Sequence, residues 1–166
     1  VAYAVSADSK VSIAFTLIAF TFIGVYSVFL LLRSFTGSIF VSLLGASVLP
    51  FLNYSVTNWL VRGAMAEYSA MMLIPLFLYT VKRSFDRSLL YGRIGLVFGF
   101  LFLSHSVIAY FTALLTGFIM IGCCLLGLST WKMFRPRKVC FAVLGFLAIT
   151  WWSLLPMLYL RQRYEM

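Results

Sequence analysis

Negative charge is nearly missing from this chain. Four residues of 166 are Asp or Glu, against thirteen Lys and Arg, and there is a single histidine. Charge of either sign makes up only 10% of the sequence, where soluble domains carry roughly 25%. So few polar groups cannot cover a water-exposed surface. With 63% hydrophobic residues and a mean hydropathy of +1.04, the chain reads as an integral membrane protein.

Other absences narrow the chemistry. The three cysteines, Cys123, Cys124 and Cys140, lie in or beside apolar runs and have no His or Cys partner at metal-ligand spacing. They are expected to be small buried hydrophobes and do not report a redox compartment. No nucleophile elbow, phosphate-binding P-loop or close carboxylate pair is present. No cofactor is evident, and although a divalent metal stays open, no ligand cluster marks one. The chain begins at Val1 without an initiator Met, and is read as a fragment of a longer membrane protein.

The excess of +9 would suggest nucleic acid in a soluble protein. Here no polar, aromatic-interleaved basic surface exists to read one, so no nucleic-acid partner is expected. The cations instead flank apolar runs, where they meet lipid headgroups.

The runs fall into about six spans within one transmembrane domain, residues 1–166, an all-α polytopic bundle. Val11 to Leu32 is uncharged and long enough to cross. It ends at Arg33 and the turn-like Ser34–Ser38. Ile39 to about Leu52 is a short second span, broken near Pro50 because proline lacks an N–H and clashes with the preceding turn. An irregular segment, Asn53 to Arg62, is expected next, and such backbone survives at membrane depth only when protein or water covers it.

Gly63 to Val81, with Pro75 inside, is span three. From Leu89 to Leu128 the run would reach about 60 Å as one helix, roughly twice the hydrocarbon thickness. It must fold back at Ser104-His105-Ser106, giving spans of about Leu89–Leu103 and Val107–Leu128. Val139 to Leu160 is the sixth, with Trp151, Trp152 and Tyr159 as an aromatic belt.

Charge tests this count. The 33–38, 82–93 and 130–138 loops share one side and hold nine of the thirteen cations. The positive-inside rule makes that side cytoplasmic and leaves Asp8, Glu67, His105 and Glu165 on the outer side.

Four features have competing readings. Arg62 and Glu67, in Asn58-Trp-Leu-Val-Arg-Gly-Ala-Met-Ala-Glu67, interrupt apolar sequence. Structurally, Glu67 suits a positive helix start, and Arg62 can snorkel or pair with it. Functionally, the planar guanidinium of Arg62 fits a phosphate, with Glu67 orienting it or accepting a sugar hydroxyl. His105 is either a hydrogen-bonded turn residue or a general base. Gly92, Gly95 and Gly99 mark close helix packing in span four, since no strand precedes them. Asn53-Tyr-Ser55 is formally a glycosylation sequon, discounted because it lies so near a span.

Several of these features, taken in order, resemble one family. They are Gly24-Val-Tyr26, Leu49-Pro50, Val61-Arg-Gly-Ala-Met-Ala-Glu67, Leu73-Ile-Pro75, Leu103-Ser-His105 and Trp151-Trp-Ser-Leu-Leu-Pro156 leading to Tyr164-Glu165. Together they resemble the polytopic membrane domain named for its relation to 6-pyruvoyl-tetrahydropterin synthase, which is similar to C-type membrane glycosyltransferases. The resemblance runs from about residue 20 onward and implies no pterin chemistry.

What it implies is sugar transfer from a polyprenyl-phosphate carrier at the outer face of a prokaryotic cytoplasmic membrane. Arg62 would contact the donor phosphate, Glu67 would orient Arg62, and His105 and Asn58 would line the same cavity. The catalytic carboxylate in such enzymes follows the first helix and would lie before Val1, with Asp8 as a possible remnant and Glu67 and His105 as weaker candidates. The alternative is a non-enzymatic lipid- or solute-binding, or transport, module of the membrane.

Overall fold

The computed structural model of the chain describes residues 9–58, 63–86, 91–127 and 136–164. Among these residues every element is helical. In order they are α1 (Ser9–Thr36), α2 (Ile39–Val48), a 3-10 turn (Leu49–Phe51), α3 (Asn53–Val56), α4 (Met65–Asp86), α5 (Tyr91–Ser104), α6 (Ser106–Leu125) and α7 (Pro136–Tyr164). The fold is all-α, as composition demands. The helices form two compact units, one up to Tyr79 and one from Thr80 onward.

Each expected span corresponds to a helix, but they are not equivalent. Lys10–Thr36, Ser106–Leu125 and Pro136–Pro156 are long and apolar enough to cross a membrane. Ile39–Phe51 and Tyr91–Ser104 are apolar but shorter. Helix α4 has the length, 22 residues, and carries Glu67 in its first turn and Arg83 in its last. Lipid-facing surface is abundant, and Trp151, Trp152 and Tyr159 are all exposed on α7.

In the first unit, α1 turns back into α2 through Gly37, which adopts a positive φ of 69° that side chains resist. The Gly37 N–H bonds the Arg33 carbonyl at 3.0 Å, and the Ser38 hydroxyl caps α2 by accepting from Val41 N–H. The helices run antiparallel: Gly45 lies against Leu32, and Gly24 against Leu49. Met72 of α4 also packs on Gly24, and Leu49, Tyr68 and Met72 form a buried cluster with Leu17, Phe20, Val28 and Met71 around it.

Pro50 acts as expected. It has no N–H to offer Ala46, and the Leu49 N–H takes that carbonyl instead, tightening α2 into the 3-10 turn. The segment after it differs from expectation. Asn53–Val56 is a helical turn rather than irregular chain, started by Val56 N–H on Leu52 carbonyl at 3.0 Å. A buried backbone must pair its polar groups, and one helical turn does so locally.

Hydroxyls inside the helices follow the same rule. Thr16, Thr21, Ser42, Thr112 and Thr150 each donate to the carbonyl four residues back, at 2.6–2.9 Å.

In the second unit, α5 and α7 run side by side in the same direction. A Cβ on Gly95 would overlap the Ala142 carbonyl oxygen, and one on Gly145 would overlap the Gly92 carbonyl. Further along, Gly99 meets Ile149 and Phe146. The glycines are therefore a two-sided seam, with backbone on backbone. Phe146 closes it, its ring centroid 5.7 Å from Phe98 and 5.6 Å from Phe102. The cysteines divide: Cys124 is buried, but Cys140 is exposed on α7, so the expectation of burial is corrected for it. Cys140 sits on a lipid-facing side of its helix, which a small hydrophobe tolerates.

Because backbone cannot give way, Gly95→Ala and Gly145→Ala should each destabilise the protein by about 1–3 kcal/mol. Gly117, where an added Cβ meets nothing within 4 Å, is the matched control. Gly117→Ala should be neutral or stabilising by up to about 1 kcal/mol. Thermal unfolding in detergent compares the three directly.

Candidate functional site

The depth of the α2–α4 connection decides what the site can be. The uncharged part of α1 runs from Val11 to Leu32, so Thr21 lies about 15 Å along it, near the middle of a ~30 Å hydrocarbon layer. Tyr68, in the first turns of α4, meets α1 there: its hydroxyl lies 2.6 Å from Thr21 Oγ1. One turn on, Met72 meets Gly24, so α1 and α4 run parallel. Helix α2 meanwhile ends at Leu49, also against Gly24. The chain therefore stops α2 and starts α4 half way along α1.

Asn58 and Glu67 belong to this half-depth turn. Ser55 and Asn58 are both fully buried. The Ser55 hydroxyl donates to the Leu49 carbonyl at 3.0 Å and sits 3.6 Å from Met71 Sδ. Of the formal sequon Asn53-Tyr-Ser55, Ser55 is buried while Asn53 is exposed. The Asn58 carbonyl accepts from Ala64 N–H at 2.9 Å, closing the segment on itself. Gly63, with φ of 61°, makes the reversal into α4, and Ala64 carbonyl takes the Tyr68 N–H. Glu67 is half-buried in the first turn of α4, where the helix dipole favours a carboxylate. Arg62 and Asp8 lie outside the described residues.

Beside the turn is an open groove of about 450 Å³. Leu17, Ile18, Phe22 and Val25 of α1 form its walls, with Pro50 and the Thr21–Tyr68 pair. Thr21 Oγ1 is within 2.7 Å of the Leu17 carbonyl, so Thr21 donates there and accepts from Tyr68. Both hydroxyls are thereby satisfied, and the groove is in effect a hydrocarbon slot. Its size falls within the roughly 300–1,000 Å³ usual for ligand sites.

His105 belongs to the second unit, where it separates α5 from α6. It is the N-cap of α6, with φ −160° and ψ 105°, and its Nδ1 accepts from Ile108 N–H at 3.3 Å. His105 thus sits in the turn, and its Nδ1 accepts from an amide as a helix cap. The reason is geometric: Nδ1 stands the same number of bonds from Cα as the Asn side-chain oxygen, a standard cap. The bond requires Nδ1 unprotonated and so favours the Nε2–H form of the neutral ring.

Among the described residues no group of three His, Cys, Asp or Glu could hold a metal. Nothing in the sequence announced the Thr21–Tyr68 pair. A hydroxyl mid-span was visible as a signal, but its partner 47 residues away was not.

The described chain is thus a helical membrane protein with a half-depth turn, in which Ser55 and Asn58 are buried, beside an apolar groove. No family model matches it, and neither a curated protein nor a solved structure shows significant similarity.

A double-mutant cycle of Thr21→Val and Tyr68→Phe should give a coupling of about 0.6 kcal/mol, the average for hydrogen bonds between membrane helices, and at most about 1.7 kcal/mol. At the other turn, His105→Ala should lower stability by about 1 kcal/mol, and His105→Asn should recover most of it. Loss in both variants would show that the ring does more than cap.

Proposed function

We propose that the first unit binds a lipid-linked phosphate, its chain in the groove and its phosphate held by the turn that carries Asn58, Arg62 and Glu67. The observation behind this reading is the half-depth turn itself, with an aliphatic slot opening beside it. A slot at that depth faces acyl or prenyl chains rather than water. Arg62 directly precedes Gly63 in sequence and supplies a guanidinium suited to phosphate.

The resemblance to C-type membrane glycosyltransferases narrows the lipid to a polyprenyl-phosphate sugar. On this reading the chain is part of such an enzyme in a prokaryotic cytoplasmic membrane. The 33–38, 82–93 and 130–138 loops would be cytoplasmic. Arg62 holds the phosphate and Glu67 orients it.

A second reading has its own observation. Helices that break half way across a bilayer are where transporters place substrates. A non-enzymatic lipid carrier would use the same groove and the same Arg62, without a carboxylate for chemistry.

The discriminating experiment titrates a polyprenyl-phosphate sugar into the purified chain. Arg62→Ala should weaken binding about tenfold or more, with thermal stability retained, as for loss of a charged hydrogen bond. Ile18→Trp, which fills the slot, should weaken it too. Unchanged affinity in both variants would overturn the proposal. Affinity lost with no sugar transfer by the full-length protein would leave the carrier reading.

A further inference from the structure

The second unit carries an arrangement that the lipid-linked donor does not involve. Helices α5 and α7 are parallel, so both N-termini lie at one end of the Gly92–Gly145 seam. A helix start presents free N–H groups and a partial positive charge, and normally attracts acidic side chains. Neither helix has an acidic residue in its first turn. They carry cations instead: Arg93 is the third residue of α5, and Arg137 and Lys138 are the second and third of α7. Positive side chains on two adjacent positive helix ends repel, unless an anion sits between them.

Tyr91 gives an independent sign of a ligand. It is the first residue of α5, only 7% exposed, and its buried hydroxyl has no hydrogen-bond partner among the described residues. A buried hydroxyl left without a partner is unfavourable, and native structures rarely keep one. Lys138 Nζ lies 4.8 Å from the centre of the Tyr91 ring. This cation–π contact holds the ammonium of α7 over the start of α5. Lys138 and Tyr91 thus meet at this end of the helix pair, with Arg137 next to Lys138 and Arg93 two residues after Tyr91 in sequence.

We propose that this end of the α5–α7 pair is a binding site for the phosphate of an anionic phospholipid. Lys138, Arg137 and Arg93 supply charge, the helix starts supply N–H donors, and Tyr91 donates its hydroxyl. The occupant is a lipid rather than a free anion because the next turns of α7 are apolar and open. Val139, Phe141, Val143 and Leu144 are all exposed, giving the acyl chains an apolar surface directly below the charged layer. Anionic headgroups are attracted to cations at that level.

The test uses the purified full chain in detergent, titrated with phosphatidylglycerol and, separately, with phosphatidylcholine, bound lipid being read by native mass spectrometry. Phosphatidylglycerol should bind preferentially. The Arg137→Gln, Lys138→Gln double variant should lose about tenfold or more of that affinity. Tyr91→Phe, which keeps the ring under Lys138, should lose severalfold. Lys10→Gln removes a cation from the other unit and should change nothing. Equal binding of the two lipids would overturn the proposal, as would an equal loss in Lys10→Gln, which would mean unspecific attraction. Displacement of the lipid by inorganic phosphate at millimolar concentration would also overturn it, pointing to a free-anion site.

Discussion

Hydrocarbon offers no hydrogen bonds, and the first unit is arranged around that deficit. A helix satisfies its own backbone, so the difficulty concentrates wherever a helix stops inside the bilayer. Here α2 stops at Pro50, level with the middle of α1. Its exposed carbonyls are taken up one by one: Ala46 by Leu49, and Leu49 by Leu52 and by the Ser55 hydroxyl. Asn58 then closes on Ala64 before α4 begins. The burial of Ser55 and Asn58, both small polar residues in an apolar chain, follows from this need. So does the short helical turn where irregular chain was expected.

The two units hold their helices together by different means, and neither relies on the hydrophobic effect as a soluble core does. Lipid is as apolar as leucine, so association depends on close packing and hydrogen bonds between helices. The first unit uses side chains: Met72 fills the space over Gly24, and Tyr68 bonds Thr21. The second dispenses with side chains at its centre and brings α5 backbone onto α7 backbone through Gly92, Gly95 and Gly145. The second arrangement is shorter-ranged and less forgiving. One methyl group in it meets a carbonyl rather than a flexible thioether.

Much of this was legible in the sequence, for identifiable reasons. Pro50 announces a stop because the missing N–H is a covalent property. The Ser104-His105-Ser106 break follows from length alone, since one helix there could not fit a bilayer. Gly95 and Gly99 announce a close approach, but not with what. Their partner segment in α7 lies more than forty residues away and is defined only by the fold. Likewise, an apolar run does not say where along its neighbour it begins. Span three was expected to run from Gly63 as a span of its own, and α4 instead starts half way down α1. His105 could be read as a turn residue, but whether its ring donates or accepts depends on a backbone angle the sequence does not contain.

That starting depth changes the weight of the charged residues beside it. At the headgroup layer, Glu67 and its neighbour Arg62 would require no explanation, because water and lipid phosphates solvate both. A carboxylate or guanidinium nearer the bilayer centre is unfavourable by at least about 2.5–3.5 kcal/mol on insertion scales unless it is paired or lines a polar cavity. Glu67 gains part of that back from the α4 dipole, which a lone arginine at the same place would not. A positive group before the start of α4 is repelled by the dipole that favours Glu67. It must therefore be neutralised by Glu67, by water reaching the turn, or by a bound anion. A phosphate presented by a lipid whose chain occupies the adjacent slot meets that requirement without admitting water. On the proposed reading, depth more than the motif itself is what favours an anionic lipid at this turn.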